Sequence, residues 1–258
     1  VNKNTMTTIA PKLLFQNAIR ELEGIYGDRE SQSIIFMLMA HLYQYSRMDV
    51  LMDKPLNNFN QLHWDIAIQK LKLQEPVQYV IGAAWFLDRE FMVNAAVLIP
   101  RLETEELVNL IIQDHDKNQP ITILDLGTGS GCIAISLAKN IPNSEVVAID
   151  ISNKAIEIAE KNAKNNGVSV YFAKANILDL DNSNENEISK LNMGVKFDLI
   201  VSNPPYVRNI EKDQIRANVI DFEPHLALFV EDSDPLIFYR KILELSQNIL
   251  KPNGKLYF

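Results

Sequence analysis

Apolar residues in the first 75 positions recur every three to four residues, a spacing that predicts helices with one buried face. The first run extends from Leu14 to Tyr26 and is followed by Gly27, a residue that commonly ends helices. Similar runs cover residues 34–45 and 62–73. We therefore expect residues 1–75 to form a small helical bundle domain, with a role in substrate recognition.

Residues 76–99 have a different pattern. A short apolar run at 77–81 predicts a β segment, and apolar pairs on both sides of the polar stretch 87–90 predict a β-hairpin or an extended linker. The segment after Pro100 leads into another helical run, and Thr104 is expected to cap that helix. We expect 76–99 to join the helical bundle to a second domain.

From residue 121 onward, β-branched runs alternate with helical runs, which is typical of a parallel sheet covered by helices. We therefore expect an α/β fold with a doubly wound sheet in residues 100–258. A polar, acidic stretch at 179–194 predicts a surface loop. The predicted strands are 121–124, 145–150, 170–173, 197–202 and one that begins at 255. Because a doubly wound sheet normally covers its edges, we expect C-terminal strands to be missing from this chain.

An acid and three glycines follow the first of these strands, and the loop residues are Asp125, Gly127, Thr128, Gly129, Ser130 and Gly131. Glycines let the backbone approach a ligand closely. A dinucleotide fingerprint requires G-x-G-x-x-G, whereas this loop has G-x-G-x-G after an acid. Asp125 would repel phosphate but pair with an ammonium group, which favours the methionine end of S-adenosylmethionine, and Asp150 can accept from both ribose hydroxyls. A dinucleotide site and a structural glycine turn are the alternatives.

A rigid polar tetrapeptide, Asn203, Pro204, Pro205 and Tyr206, follows the strand at 197–202. Each proline fixes the backbone angle φ near about −65° and removes a donor, so the Asn203 amide and nearby carbonyls form a fixed array. Such an array can accept hydrogen bonds from a planar NH₂ group while Tyr206 covers its face. The pattern predicts Asn203, Pro204 and Tyr206 as catalytic residues; a proline-rich turn without function is the alternative.

Composition and charge narrow the class of protein. The chain has 258 residues with 47% hydrophobic residues, enough for a folded core, and its formal net charge is −8. Residues 1–75 hold eight Lys and Arg and eight Asp and Glu, so the whole acidic excess lies in residues 76–258. An acidic second part argues against a nucleic-acid substrate.

The sequence also indicates where the protein is located and whether it uses cysteine or metal chemistry. No apolar run approaches the length of about 18 residues that a membrane span needs, and the polar start is unlike a signal peptide. The single cysteine, Cys132, fits a reducing cytoplasm and is read as a packing residue rather than a nucleophile. The four histidines are scattered, so no metal site is expected. We expect a cytoplasmic monomer.

Three motifs together resemble the HemK/PrmC family of glutamine-N5 methyltransferases. The motifs are Leu98–Glu105, Leu124–Gly131 and Asn203–Tyr206, and the resemblance extends over nearly the whole chain. It implies a class I S-adenosylmethionine-dependent methyltransferase with a Rossmann-like sheet. It also implies methyl transfer to the glutamine of the Gly-Gly-Gln motif in class I peptide chain release factors, and thus an effect on translation termination.

The resemblance also implies further site residues. Ile151, Asn176 and Ile177 would join the cofactor site, to which Asn203 also belongs, and Phe86 would join Asn203–Tyr206 at the substrate. Three positions depart from the family pattern. Leu102 replaces a usual proline, Asp88 stands where glycine is common, and Asn176 stands where an aspartate often faces the adenine. Asn176 could still bind an amino group through its carbonyl oxygen.

Other functions stay open at this point. Adenine-N6 methyltransferases that act on DNA or RNA also use an Asn/Asp-Pro-Pro-Tyr-like motif, because an exocyclic amine is likewise a planar NH₂ group. The target could also be a glutamine of a ribosomal protein, or the chain could be a binding module without activity. The roles of Arg101 and Glu103 are undecided between bracing the domain junction and ordering the cofactor pocket.

Overall fold

Periodic apolar runs and their capping residues determine where the helices and strands lie. The structure is a computed structural model that describes residues 7–116, 119–180 and 196–258. Apart from residues 179 and 180, the predicted loop at 179–194 lies outside these residues. In the first part, the elements are β1 (Thr7–Ile9), α1 (Pro11–Tyr26), α2 (Asp28–Tyr43), α3 (Arg47–Leu51), β2 (Leu56–Phe59), α4 (Gln61–Lys72) and α5 (Val77–Ile81).

The elements that follow are mostly strands alternating with helices. They are β3 (Ala83–Phe86), β4 (Arg89–Met92), α6 (Leu102–Asp114), β5 (Ile121–Leu126), α7 (Cys132–Asn140), β6 (Ser144–Asp150), α8 (Asn153–Asn166), β7 (Tyr171–Lys174), β8 (Phe197–Ser202), β9 (Val207–Arg208), α9 (Ala217–Phe222), β10 (Phe229–Val230), α10 (Ile237–Ile249) and β11 (Leu250–Tyr257). Short 3-10 helices cover Ile177–Asp179, Asn209–Gln214 and His225–Ala227.

The chain divides into two compact units. The first contains residues 1–82 and 217–222, and the second contains 83–216 and 223–258. In the first unit, helices α1, α2, α4 and α5 bury one apolar face each around a shared core whose fully buried members include Leu22, Leu38 and Leu71. Helical periodicity therefore predicted this region correctly.

One segment of the first unit differs from its expected structure. Residues 77–81 were expected to be extended, but they form the single helical turn α5, which ends at Gly82 in the left-handed region with φ 74°. Val77 and Tyr79 are buried in this turn. A five-residue apolar run fits either a strand or a buried helical turn, so the pattern alone could not distinguish them.

The second unit is built on a five-stranded parallel sheet with the order β11-β8-β5-β6-β7. Alternate residues of β5 enter two different cores: Ile123 packs in one and Leu124 in the other. After β5, the chain adds β6 and β7 on one side of it and then crosses to the other side, where it adds β8 and β11. Ligands in such sheets bind at this switch point, beyond the carboxyl ends of the strands. The predicted doubly wound α/β fold is confirmed.

The expected hairpin is present and packs within the second unit. Strands β3 and β4 are antiparallel, and their turn residues Leu87 and Asp88 have φ values of 47° and 59°. Asp tolerates this left-handed region better than most residues, which explains how Asp88 can stand where the family commonly has glycine. Phe86 and Phe91, one on each strand, meet edge to face in the core with ring centroids 6.0 Å apart.

Replacing Gly131 by alanine should destabilise the second unit more than the matched change Gly167→Ala. Both glycines have positive φ (81° and 64°), so each alanine would cost about 1 kcal/mol of backbone strain. Only at Gly131 would the new methyl group also clash, at 2.8 Å from Ile135 Cδ1 and 3.1 Å from Ala159 Cβ, adding about 1–3 kcal/mol. Urea unfolding measures both losses, and equal losses would contradict this close approach of α7 to α8.

Candidate active site

A cavity of about 310 Å³ lies where β5, β6 and β8 end. Its volume falls within the range of small-molecule sites, and most of its lining is apolar. Of the residues predicted for the site, those that line the cavity are Gly127, Thr128, Gly129, Ser130, Asp150, Ile151, Asn176, Ile177, Asn203 and Pro205. The parallel strands thus bring the glycine loop, Asp150 and the tetrapeptide together.

The glycine loop is fixed by the neighbouring strand β6. The Gly127 and Thr128 amides both donate to the Ile149 carbonyl at 2.9 Å, and the Gly129 amide donates to Asp150 Oδ2 at 2.9 Å. All three loop glycines have φ between 55° and 81°, a region that other residues adopt only with strain. This loop could not keep its path with larger residues, which explains the three glycines at alternate positions.

Asp150 lies at the end of β6 and lines the cavity. Its Oδ1 accepts from the Ser152 amide at 2.9 Å while Oδ2 accepts from the Gly129 amide. Burial raises the pKa of Asp150, and these backbone donors act in the opposite direction. A carboxylate has about four lone-pair sites, so acceptor capacity is left for two hydroxyl groups of a ligand.

Asp125 lies beneath the loop and does not line the cavity. Its side chain is fully buried and its Oδ2 accepts from the Thr128 hydroxyl at 2.7 Å. Burial raises the pKa of Asp125 to about 7, although the Thr128 hydroxyl lowers it. The predicted direct pairing of Asp125 with a ligand ammonium group therefore does not fit. The acid supports the loop through Thr128, since a buried carboxyl group needs a local donor.

Asn176 lines the cavity and also caps the turn that follows it. Its Oδ1 accepts from the Leu178 amide at 3.1 Å and so caps the 3-10 helix, while its Nδ2 donates to Asp179 at 2.9 Å. One lone pair of the carbonyl oxygen is thus used by the backbone, and the second is left for an amino group. Ile177 is buried against the cavity, where its side chain can pack on a flat ring.

The residues of the tetrapeptide differ in burial and in whether they reach the cavity. Asn203 is partly buried and its Nδ2 donates to Thr104 Oγ1 at 3.1 Å, and its Oδ1 has no hydrogen-bond partner among the described residues. Pro204 is buried, whereas Tyr206 is 59% exposed. Neither Pro204 nor Tyr206 lines the cavity. Asn203 is therefore the group of this motif that presents a free acceptor next to the cavity.

Phe86 does not lie at the cavity. It is 1% exposed and packs in the core against Phe91. Its aromatic ring would have to leave this core to touch a substrate, at a cost of several kcal/mol by order of magnitude. The expected contact of Phe86 with the substrate is therefore withdrawn.

Sequence reasoning did not find Asn162, a residue that holds the hairpin to the glycine loop. Its Oδ1 accepts from the Met92 amide at 2.7 Å, and its Nδ2 donates to the carbonyls of Met92 (3.0 Å) and Ser130 (2.9 Å). The side chain is fully buried on α8. A buried asparagine with all these bonds is a strong constraint, but only its polarity on an apolar helix face could have signalled it.

An ion pair holds the segment that precedes α6. Arg101 Nη2 lies 2.7 Å from Glu223 Oε1, and the Ile99 amide donates to Glu223 Oε2 at 3.2 Å. The Glu223 side chain is 1% exposed, whereas that of Arg101 is 36% exposed and lines the cavity. Arg101 thus ties this part of the cavity wall to a partner 122 residues away, which is compatible with ordering the cofactor pocket.

Cys132 is a buried cysteine that packs rather than reacts. Burial raises the pKa of the Cys132 thiol to about 12, which keeps it neutral and agrees with a packing role.

Among the described residues, no group of three His, Cys, Asp or Glu side chains could hold a metal ion. No helix within the described ranges is long and apolar enough to cross a membrane.

The residues at the cavity fit S-adenosylmethionine. The glycine loop offers close backbone approach, Asp150 offers acceptors for a ribose, and Ile177 offers an apolar surface for an adenine. Together with the doubly wound sheet, they define the second unit as an S-adenosylmethionine-dependent methyltransferase. In agreement, residues 117–258 match the family model described as a methyltransferase domain, and residues 14–82 match that of the PrmC N-terminal domain.

Several relatives are similar to the chain over most of its length. A release factor glutamine methyltransferase of Flavobacterium psychrophilum is 47% identical to this chain. The matched region covers 93% of this chain and 82% of that protein. A protein of the same name from Bacteroides thetaiotaomicron is 42% identical, and the match covers 93% of this chain and 83% of that protein. One from Streptococcus pneumoniae is 38% identical, and the match covers 95% of this chain and 82% of that protein. The chain belongs to the release factor glutamine methyltransferase family.

Replacing Asp125 by asparagine should remove a pH-dependent part of the stability. Because the pKa of Asp125 is raised to about 7 in the folded state, folding takes up a proton between the unfolded pKa of about 3.9 and that value. The free energy of unfolding of the wild type should therefore fall, by up to about 1.4 kcal/mol per pH unit, as the pH rises through this window. Urea unfolding of both proteins from pH 5 to pH 8 measures the effect.

The Asp125→Asn protein retains an oxygen for the Thr128 hydroxyl but has no proton to release. Its stability relative to the wild type should increase from pH 5 to about pH 7 and then level off. A stability difference that stays constant over this range would show that Asp125 is ionised throughout, contrary to its burial.

Proposed function

We propose that the chain transfers the methyl group of S-adenosylmethionine to the side-chain amide nitrogen of a protein glutamine. The observation that carries this proposal is the Asn203 side chain, whose nitrogen is bound to Thr104 and whose oxygen is a free acceptor beside the cavity. An acceptor there suits an incoming NH₂ group, which has two hydrogens to donate. The names of the relatives support a release factor glutamine as the target. We assign it to the Gly-Gly-Gln motif of class I peptide chain release factors.

Asn203 and Pro204 would orient the glutamine nitrogen. An amide nitrogen is a poor nucleophile because its lone pair is delocalised into the carbonyl group. In our proposal, Asn203 Oδ1 accepts one N–H and the Pro204 carbonyl accepts the other, so that the lone pair points toward the cofactor site. Orientation of two bound reactants can supply about 7–11 kcal/mol of the barrier, and aimed acceptors supply a few more.

When bound, S-adenosylmethionine supplies a methyl group activated by a positively charged sulfur. The glutamine nitrogen would take this methyl group as the carbon–sulfur bond breaks, and the electron pair of that bond would stay on the sulfur of the departing S-adenosylhomocysteine. The transfer leaves a positive charge on the amide, so that the nitrogen proton becomes acidic and passes to water. The residues of the chain only need to hold the nitrogen in line and stabilise the developing charge.

Tyr206 supports a protein substrate. The residue is 59% exposed at the end of the motif, where a protruding side chain on a partner could stack against its ring. The acidic excess of residues 76–258 is unfavourable for a nucleic acid, whose phosphates would be repelled. We assign Tyr206 and Pro205 to substrate contact on this basis.

The remaining assignments concern the whole protein. We propose that residues 1–75 recognise the release factor, that 76–99 form the connection and that 100–258 carry catalysis. We also propose that the enzyme acts as a monomer in the cytoplasm, where translation termination takes place.

Replacing Asn203 by alanine should abolish methyl transfer while leaving the affinity for the cofactor within a few fold. The change removes an acceptor used mainly in the transition state, so it should lower kcat rather than cofactor binding. The assay follows label from the cofactor into a release factor, with the Gln→Ala factor and duplex DNA as controls. Label in the DNA, or equal label in the variant factor, would overturn the proposed substrate.

Replacing Asp150 by alanine should weaken cofactor binding by about ten- to a hundredfold, the cost of charge-assisted hydrogen bonds. The change removes both the proposed ribose acceptor and the brace on the Gly129 amide. Asp150→Asn keeps one acceptor and should lose less. Calorimetry with S-adenosylhomocysteine gives the affinities, and unchanged binding of the alanine variant would exclude Asp150 from the cofactor site.

A further inference from the structure

We propose that Thr104 is a positioning residue that holds the Asn203 side chain in place at the edge of the cavity. This inference rests on the function proposed above, because it concerns how the same site accepts the glutamine nitrogen. Thr104 was expected to cap α6, but the helix begins at Leu102, so Thr104 lies in its first turn. Its hydroxyl is therefore available for another partner, and that partner is Asn203, 99 residues further along the chain.

The two side chains meet at the edge of the cavity. Thr104 Oγ1 accepts from Asn203 Nδ2 at 3.1 Å, and Thr104 is only 6% exposed. Both residues line the cavity, so the hydrogen bond lies beside the place where the methyl acceptor would enter. A hydrogen bond shielded from water in this way is harder to exchange than one on the surface.

The orientation of this amide decides what Asn203 can recognise. The oxygen and the NH₂ group of an asparagine have nearly the same shape, so a half-turn about the last side-chain bond exchanges an acceptor for two donors. With its nitrogen held by Thr104, Asn203 presents an acceptor to the incoming NH₂ group. With the amide reversed, it would present hydrogens to hydrogens and repel that group.

The backbone alone does not hold the Asn203 side chain in place. Pro204 restricts the backbone of Asn203 to extended conformations, but it leaves the side-chain torsions free. The partner must therefore come from another element, and α6 supplies it. The Thr104 amide donates to the Arg101 carbonyl at 3.1 Å, and Arg101 is paired with the buried Glu223. The position of the Thr104 hydroxyl is thus set by the ion pair that holds the start of α6.

The test compares variants that differ only in the hydroxyl group. Thr104→Val replaces the hydroxyl by a methyl group of similar size, and Thr104→Ser keeps the hydroxyl while losing the methyl group. We expect Thr104→Val to lower kcat for release-factor methylation by about ten- to a hundredfold, the size of effect that follows from a misplaced catalytic group. Thr104→Ser should restore kcat to within a few fold, and both variants should bind S-adenosylhomocysteine with wild-type affinity.

A second pair and a control distinguish positioning from simple support. If Thr104→Val does not fold, Thr104→Ala and Thr104→Ser give the same comparison, because they differ in one oxygen. Thr122→Val makes the same substitution at the amino end of β5, where the hydroxyl binds Asp198 and the Lys196 carbonyl away from the cavity. It should lower stability but leave kcat unchanged in the folded protein.

Each outcome has a definite meaning. Wild-type kcat in Thr104→Val, or equal losses in the serine and alanine variants, would overturn the positioning role. A parallel loss of cofactor affinity would overturn it too, because it would indicate a general distortion of the cavity. If the wild type does not methylate the release factor at all, the proposed function itself fails, and the Thr104 variants are not needed to show it.

Discussion

The register between β5 and β8 is the constraint on which the site depends. Ser202, the last residue of β8, is fully buried and donates from Oγ to the Leu126 carbonyl at 2.6 Å, and the same two residues are register partners in the sheet. This bond fixes the end of β8 next to the end of β5. Asn203 and the glycine loop begin immediately after these strands. A slip of one residue between β5 and β8 would therefore move them apart and turn the side chains of the slipped strand to the opposite face of the sheet.

Several buried polar groups hold this edge of the sheet together. Asp150 binds the Gly129 and Ser152 amides, Asn162 binds Met92 and Ser130, and Asp125 accepts from Thr128. Burying such groups is costly unless each finds a partner. Here the partners are mainly backbone groups of the loops around the cavity. The cost of burial is thus offset by bonds that also fix the loops that a ligand must meet.

The same feature explains what the sequence could predict. Strands β5, β6 and β8 and the glycine loop follow from local patterns, because apolar runs and glycine spacing act over a few residues. The site residues that depend on long-range pairing did not follow. Thr104 and Asn203 are 99 residues apart, and Arg101 and Glu223 are 122 apart. No local pattern encodes such partners.

The misplaced residues follow the same rule. Asp125 stands in one of the three motifs and Phe86 was implied by the family resemblance, yet Phe86 packs in the core and Asp125 lies beneath the loop. A motif specifies which residues are near a site, but burial decides which of them face it. Asn176 does line the cavity, and its oxygen also caps its own turn through a bond to a neighbouring residue.

The charges around the cavity explain how the site can act without a strong base. Of the described residues that line it, Asp150 is the one carboxylate, and its two oxygens already accept from backbone amides. Glu223 is paired with Arg101, and Asp125 is shielded beneath the loop. Each carboxylate nearby is thus engaged by donors or lies away from the substrate. A neutral oxygen held at a fixed angle remains, which suits an amide whose proton leaves only after the methyl group has been transferred.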